Sequence, residues 1–278
     1  MPPARIRIRI TFGDAVLHLA LVVITVAFLF PLLWMLSTSI KTQAEYFTFP
    51  PVWMPEHPTL EHYGYILSTT GLNAVRNSLV VALVNVALVM TVSIPAAYAI
   101  ARFRIGGHNF SFWVLSQRML APIAVILPLF LLFSHLKMID THLTLILGYA
   151  SFNVAFAVWL LIGFFEEFPT EIEDAGLVDG CSRWGVLLRV TLPIVAPGLV
   201  VTALFCFVFA WNEFLFALIL TRQAAITIPP QLAAFQAPTK IMWGEMSAFA
   251  TVGIVPPVIF AFLLQRYLVR GLAVGGIR

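Results

Sequence analysis

Gln117, Arg118, Asn153, Asn212 and Glu213 lie inside stretches of sequence that are otherwise almost wholly apolar. An ionised arginine or glutamate in such surroundings must face a partner or a water-filled cavity, because burying the bare charge is too costly. Asn212 and Glu213 stand in "FAWNEFLF", flanked by Trp211, Phe214 and Phe216. Hydrogen-bonding groups beside aromatic faces suit a small polar solute with an apolar ring face. Asn212, Glu213, Trp211 and Arg118 are therefore the candidates to line or gate a path for such a solute. For the amides the plain alternative is a hydrogen bond between helices, worth about 0.6 kcal/mol on average.

No bond-breaking constellation accompanies them. The sequence has no G-x-x-x-x-G-K-[ST] phosphate loop, no G-x-S-x-G elbow and no H-E-x-x-H pair, and Cys181 and Cys206 are not at metal-ligand spacing. Glu166 and Glu167 are adjacent carboxylates, but beside Phe168 and Pro169 they read as solvated side chains at a helix end. His57 and His62 in "EHPTLEH" read as solvated loop histidines.

A second concentration of polar residues is "EDAGLVDGCSRWGVLLRVTLP", residues 173–193. It holds Glu173, Asp174 and Asp179, then Arg183 and Arg189, with Gly176, Gly180 and Gly185 between them and Pro193 closing it.

Both features are positioned by the most apolar part of the composition. The 278 residues are 60% hydrophobic and 10% charged, with mean hydropathy +0.95, against about 25% charged in a soluble domain. Uninterrupted apolar runs of about 20 residues recur, each long enough to cross a bilayer as a helix. Period-two alternation is absent, which excludes a barrel. The expected fold is all-α and polytopic, one domain over residues 1–278, with six spans: 15–36, 79–100, 112–132, 143–165, 194–220 and 248–264. Pro256 and Pro257 are read as interrupting the sixth. The other prolines in the spans, Pro31, Pro95, Pro122, Pro128 and Pro197, point to kinked helices packed in a bundle.

Basic residues set the orientation. With the N-terminus inside, Arg5, Arg7, Arg9, Arg102, Arg104, Arg183, Arg189, Arg266, Arg270 and Arg278 are cytoplasmic. Lys41, Arg76, Lys137, Arg222 and Lys240 are then outside. Ten against five puts both tails, 1–14 and 266–278, in the cytoplasm. The first apolar run is too long for a secretory signal core and no small-x-small cleavage site follows it, so it reads as a retained span. Cys181 falls inside and Cys206 in a span, so they do not pair. Nor does the charge of +3 mark a nucleic-acid surface, because no basic patch with interleaved aromatics occurs.

On this topology residues 166–193 form the longest cytoplasmic loop. Thr170 is read as a helix cap, with Glu171, Glu173 and Asp174 at the positive end of the helix dipole and Gly180 ending the helix in a left-handed conformation. A second amphipathic helix follows, with Trp184, Leu187, Leu188 and Val190 on its apolar side, and Pro193 opens the next span. The pattern is a helix–glycine–helix elbow suited to docking a soluble partner.

These residues resemble the signature loop of permease subunits of ABC importers: Glu-Ala-Ala, three residues, Gly, nine residues, then Ile-x-Leu-Pro. Here Asp174-Ala175-Gly176 is followed by Gly180 and by Val190-Thr191-Leu192-Pro193 at matching spacing. Asp174, Gly176 and Val190 depart from the pattern, and Gly176 weakens its helix by up to about 1 kcal/mol. "SIKTQAEYFTFPPVWMPEHPTLEHY", "RMLAPIAVILPLFLLF", "FAWNEFLFALILT" and "QRYLVRGLAVGGIR" are similar to the carbohydrate (maltose-type) permeases in the same order.

The resemblance implies a multi-pass permease in a bacterial cytoplasmic membrane, moving a sugar, polyol or related small polar solute. Its coupling loop, including Glu173, Asp174, Ala175, Gly176, Asp179, Gly180, Arg183, Leu192 and Pro193, would meet an ATPase dimer that uses ATP and Mg. This chain would bind no cofactor and hydrolyse nothing. A second, homologous permease and an extracytoplasmic solute-binding protein complete the implied complex. One of the two permeases in this group sends a tail like "QRYLVRGLAVGGIR" toward the ATPases. The alternative from another class is a self-contained secondary transporter, but neither an internal repeat nor a set of intramembrane acids supports it. A membrane-embedded enzyme lacks any catalytic constellation.

Overall fold

The computed structural model describes residues 12–69, 71–107, 109–237 and 240–275. In chain order the helices are α1 (Phe12–Ser39), α2 (Glu61–Ser68), α3 (Gly71–Phe103), α4 (Phe110–Ser116), α5 (Pro122–His135), α6 (His142–Glu166), α7 (Thr170–Val178) and α8 (Arg183–Val186). They continue as α9 (Leu192–Trp211), α10 (Leu215–Leu220), α11 (Ile228–Ala234) and α12 (Trp243–Gly275). Among the described residues the only paired strands are Gln236–Ala237 and Lys240–Ile241, a two-residue antiparallel ladder. The fold is all-α, as its composition predicts. The tail residues 1–11 and 276–278 lie outside the described residues.

Among the described residues five helices are long and apolar enough to cross a membrane: Val16–Ser39, Gly71–Phe103, His142–Glu166, Arg183–Trp211 and Trp243–Gln265. The third expected span is instead two helices, Phe110–Met119 and Pro122–His135, bent by 83°. Pro122 causes the break, because a residue before proline is pushed out of the helical region. Ala121 accordingly takes ψ 125°, and Leu120 before it is also extended, at ψ 132°.

Two further expectations are corrected. Pro256 and Pro257 do not interrupt the last span; α12 runs through them, and its backbone stays helical to Gly275. Pro257 has no N–H, so the Gly253 carbonyl loses its helical donor. The Trp211 indole N–H donates to that carbonyl at 3.2 Å, which is how a neighbouring helix makes a membrane proline tolerable. Nor does a span reach from 194 to 220: α9 stops at Trp211, and Asn212–Phe214 separate it from α10.

The core lies where α3 and α6 pack along each other and α9 crosses both. A short polar ladder ties the three. Asn85 on α3 donates to the Ile146 carbonyl (2.8 Å), and Asn153 on α6 donates to Asn85 Oδ1 (2.9 Å) and to the Cys206 carbonyl (3.3 Å). Asn153 therefore serves as the interhelical hydrogen bond that amides in membranes usually make. At the opposite end from the elbow, Asn77 holds the Ala224 and Ile226 carbonyls and Ser78 accepts the Ile228 N–H. The side chains of α1 from Val16 to Leu33 are exposed and nearly all apolar.

Candidate functional site

The elbow forms because Gly180 is left-handed, at φ +86°. Its N–H donates to the Leu177 carbonyl and that of Cys181 to the Gly176 carbonyl, both at 3.1 Å, which closes the end of α7 in the crossed pattern of a glycine C-cap. Asp179 is the last residue before this turn and is exposed. Thr170 is not the cap: Pro169 occupies that position and Thr170 is the first helical residue. Ser182 caps the next helix instead, accepting the Gly185 N–H at 3.1 Å.

The second arm is not a separate surface helix either. From Arg183 the chain runs as one helical rod to Trp211, with Leu187–Thr191 widened into a π turn. The Leu192 N–H closes that turn on the Leu187 carbonyl. Pro193 thus lies inside the rod rather than opening it. The sides are also reassigned: Val186, Leu187 and Thr191 are buried, while Trp184 and Leu188 are exposed. On α7, Ile172 and Val178 (87% exposed) are apolar and exposed as well. Asp174 and Ala175 share that exposure, Leu192 is half-buried and Pro193 exposed.

Gly176 serves close packing. A Cβ there would come within 3.3 Å of Val186 Cγ2 and 3.5 Å of Val190 Cγ2, so glycine lets α7 lie against the π turn. Arg183 places its guanidinium 5.1 Å from the Phe103 ring centre.

Glu173 points inward and is 6% exposed. Its Oε2 accepts from Arg102 Nε (2.9 Å) and the Tyr98 hydroxyl (3.1 Å), and its Oε1 accepts from the Thr191 hydroxyl (3.0 Å). A second Arg102 nitrogen donates to the Phe168 carbonyl at 2.8 Å. Sequence reasoning placed Glu173 among the docking residues and did not find its partners. Tyr98 and Arg102 are four apart at the end of α3, on one helix face, and that spacing was the available signal.

The second feature is a cavity of about 690 Å³ set between the two helix breaks. Gln117, Arg118, Leu120, Pro122 and Val125 form one side; Ser151, Phe152, Val208, Phe209, Asn212, Glu213 and Phe216 form the other. Backbone that leaves the helix at membrane depth is tolerated where it lines a cavity or is buried in protein. The Arg118 guanidinium lies between two rings, 4.1 Å from the Phe209 centre and 4.6 Å from that of Phe156. Among the described residues its Nη1 has no acceptor. Glu213 Oε1 accepts the Phe216 N–H at 2.8 Å and so caps α10, while Asn212 Nδ2 donates to the Val208 carbonyl. Trp211 is absent from the lining: it is 4% exposed and turned toward α12. The structure thus brings Arg118, Asn212 and Glu213 to one cavity and removes Trp211 from it.

Residues 93–274 match the model of the family described as binding-protein-dependent transport system inner membrane component. The chain belongs to that family. The match includes the elbow and both cavity walls. The chain is 35% identical to the sulfoquinovosyl glycerol transport system permease of Agrobacterium fabrum, over 96% of this chain and 94% of the relative. It is 32% identical to the trehalose/maltose transport system permease of Thermococcus litoralis, over 90% and 91% of the two chains. A bacterial ABC transporter that imports the acidic polysaccharide alginate contains a chain with the same fold: TM-score 0.75 at 24% identity, covering 96% of this chain and 99% of that one. This chain is an ABC transporter permease, a multi-pass membrane subunit.

Proposed function

We propose that the chain carries a sugar, polyol or related small polar solute through the cytoplasmic membrane, driven by ATP hydrolysed on separate subunits. The observation that supports this best is the elbow. On α7, at one end of a membrane bundle, the apolar Ile172 and Val178 are exposed, and the helix is braced from behind by buried packing. Exposed apolar groups on a segment outside the spans suit a surface that a partner covers. An ATPase dimer using ATP and Mg is the proposed cover, with Asp174, Ala175, Asp179 and Arg183 at its margin.

In this reading both tails are cytoplasmic and the loop beside Asp140 faces outward, where a solute-binding protein delivers its cargo. A second permease completes the pathway. Arg118, Asn212 and Glu213 line the route and aromatic walls from Phe152, Phe209 and Phe216 contact the ring faces of the solute. The sugar permeases of Agrobacterium and Thermococcus named above support the solute class.

The test is reconstitution of the chain with its partners in liposomes. Solute-dependent ATP hydrolysis together with uptake of a carbohydrate supports the reading. Uptake by this chain alone, driven by an ion gradient, would favour a secondary transporter instead.

A further inference from the structure

We propose that Glu173 is a positioning residue, not a docking residue: it fastens the elbow to the end of α3, so that a push on α7 reaches two membrane helices at once. This rests on the docking reading above, but on different atoms.

The attachments of α7 divide into two. On one side Gly176 lets Val186 and Val190 pack against it, which couples α7 to the rod that ends at Trp211. On the other side there is a single carboxylate. Both Glu173 oxygens are used: one takes Arg102 and Tyr98 of α3, the other takes Thr191 of the π turn. Arg102 closes the set by holding the Phe168 carbonyl just past α6. Tyr98 also packs edge-on against Phe165, their centres 5.6 Å apart. Four segments therefore meet at one buried anion.

The chemistry makes this joint stiff. Charge-assisted hydrogen bonds are short and about twice as strong as neutral ones. The pair is hidden, with Glu173 and Arg102 side chains 8% and 10% exposed. Separating two buried charges leaves each uncompensated, so they move together rather than apart. A surface helix held only by apolar side chains could slide over its neighbour; one pinned through a buried ion pair carries displacement with it. Thr191 lies in the π turn itself, a local widening of the kind frequent at functional sites.

The experiment uses the importer assembled with its ATPase, in a Cys181→Ser, Cys206→Ala background. Spin labels are placed at Ile105→Cys beyond α3 and Glu171→Cys on α7, both exposed. The label distance is read before and after a non-hydrolysable ATP analogue, beside the ratio of solute-stimulated to basal ATP hydrolysis. In the parent, the two labels should keep their separation through the nucleotide step. Glu173→Gln should keep the ATPase bound, let the separation change with nucleotide, and lower the stimulation ratio about ten-fold, a usual size for coupling between sites. Arg102→Lys, which keeps the charge but not the two-pronged contact, should fall between.

An unchanged distance and ratio in Glu173→Gln would overturn the proposal. So would loss of the ATPase or of the folded chain in both Glu173→Gln and Arg102→Lys, which would make the ion pair a fold support only. Val178→Asp separates the two ideas. If the ATPase stays fully bound to that variant, the docking surface is wrong, whereas the Glu173 outcome is read from the labels and still stands or falls by itself.

Discussion

Asp140 holds together a corner of the molecule from a position that looks like an ordinary loop acid. Its carboxylate accepts the N–H groups of Arg222, Gln223, Ala224 and Ala225 at 3.0–3.1 Å. Burial pushes its pKa up, but the four amides outweigh burial and hold it at about 2. An unfolded aspartate titrates near 3.9. The folded value is the lower one, so the stabilisation is complete above about pH 4 and is lost as pH falls toward 2. Asp140→Asn should lower stability at pH 7 by about 2 kcal/mol, since hydrogen bonds to a charged group are being exchanged. Thermal unfolding in detergent measures this. The Asn variant should also lose part of the parent's acid sensitivity between pH 4 and 2; equal stability at pH 7 would show the charge is unnecessary. Asp140 was illegible in the sequence because its partners are more than 80 residues away and are backbone groups, which no side-chain pattern marks.

At the scale of elements, helix existence was legible and helix breaks were not. Apolar length announced nearly every span, because a bilayer leaves few other solutions. The prolines misled. Pro122 opens a new helix after a break, whereas Pro257 lies inside a continuous one, where its freed carbonyl finds a donor on another helix. That donor is Trp211, 42 residues before the Gly253 carbonyl it binds. Trp211→Phe keeps the aromatic volume and removes only that donor. It should cost about 1–3 kcal/mol, the penalty for a buried carbonyl left unpaired, seen as a lower unfolding temperature. An unshifted temperature would mean the carbonyl finds another partner. The elbow was better marked, since glycine at the end of an acidic helix has a local meaning. Gly180→Val places a β-branched residue at φ +86°, a strain of about 1–2 kcal/mol, with nothing within 4 Å of the new Cβ to clash. The spans do not depend on that torsion. Membrane abundance should stay near the parent's while ATPase recovery or solute-stimulated hydrolysis falls. Normal transport with full ATPase recovery would remove Gly180 from the coupling surface. The cavity was partly legible: Arg118, Asn212 and Glu213 announce themselves as polar groups among apolar ones. Trp211 shared their stretch but belongs to a different job, because it is the last residue of α9 and packs toward α12, while Asn212 and Glu213 lie in the break that follows.

For the whole molecule, the arrangement is a bundle with polar joints at both ends and a cavity between. The orientation proposed here, with the elbow side cytoplasmic, rests on Arg102, Arg104, Arg183 and Arg189 at that end. A reporter fused after Arg104 or Arg183 should read as cytoplasmic, and one near Pro55 or Gln231 as external; two adjacent loops on one side would break the six-crossing order. The central claim is that solute movement is powered by ATP through the elbow. It is tested most directly by solute uptake into liposomes holding this chain, its partner permease and the ATPase, with the solute-binding protein outside and ATP inside. Uptake should require ATP, persist when proton and sodium gradients are collapsed, and vanish when the ATPase is omitted. Uptake that proceeds without the ATPase and stops when an ion gradient is collapsed would contradict the account.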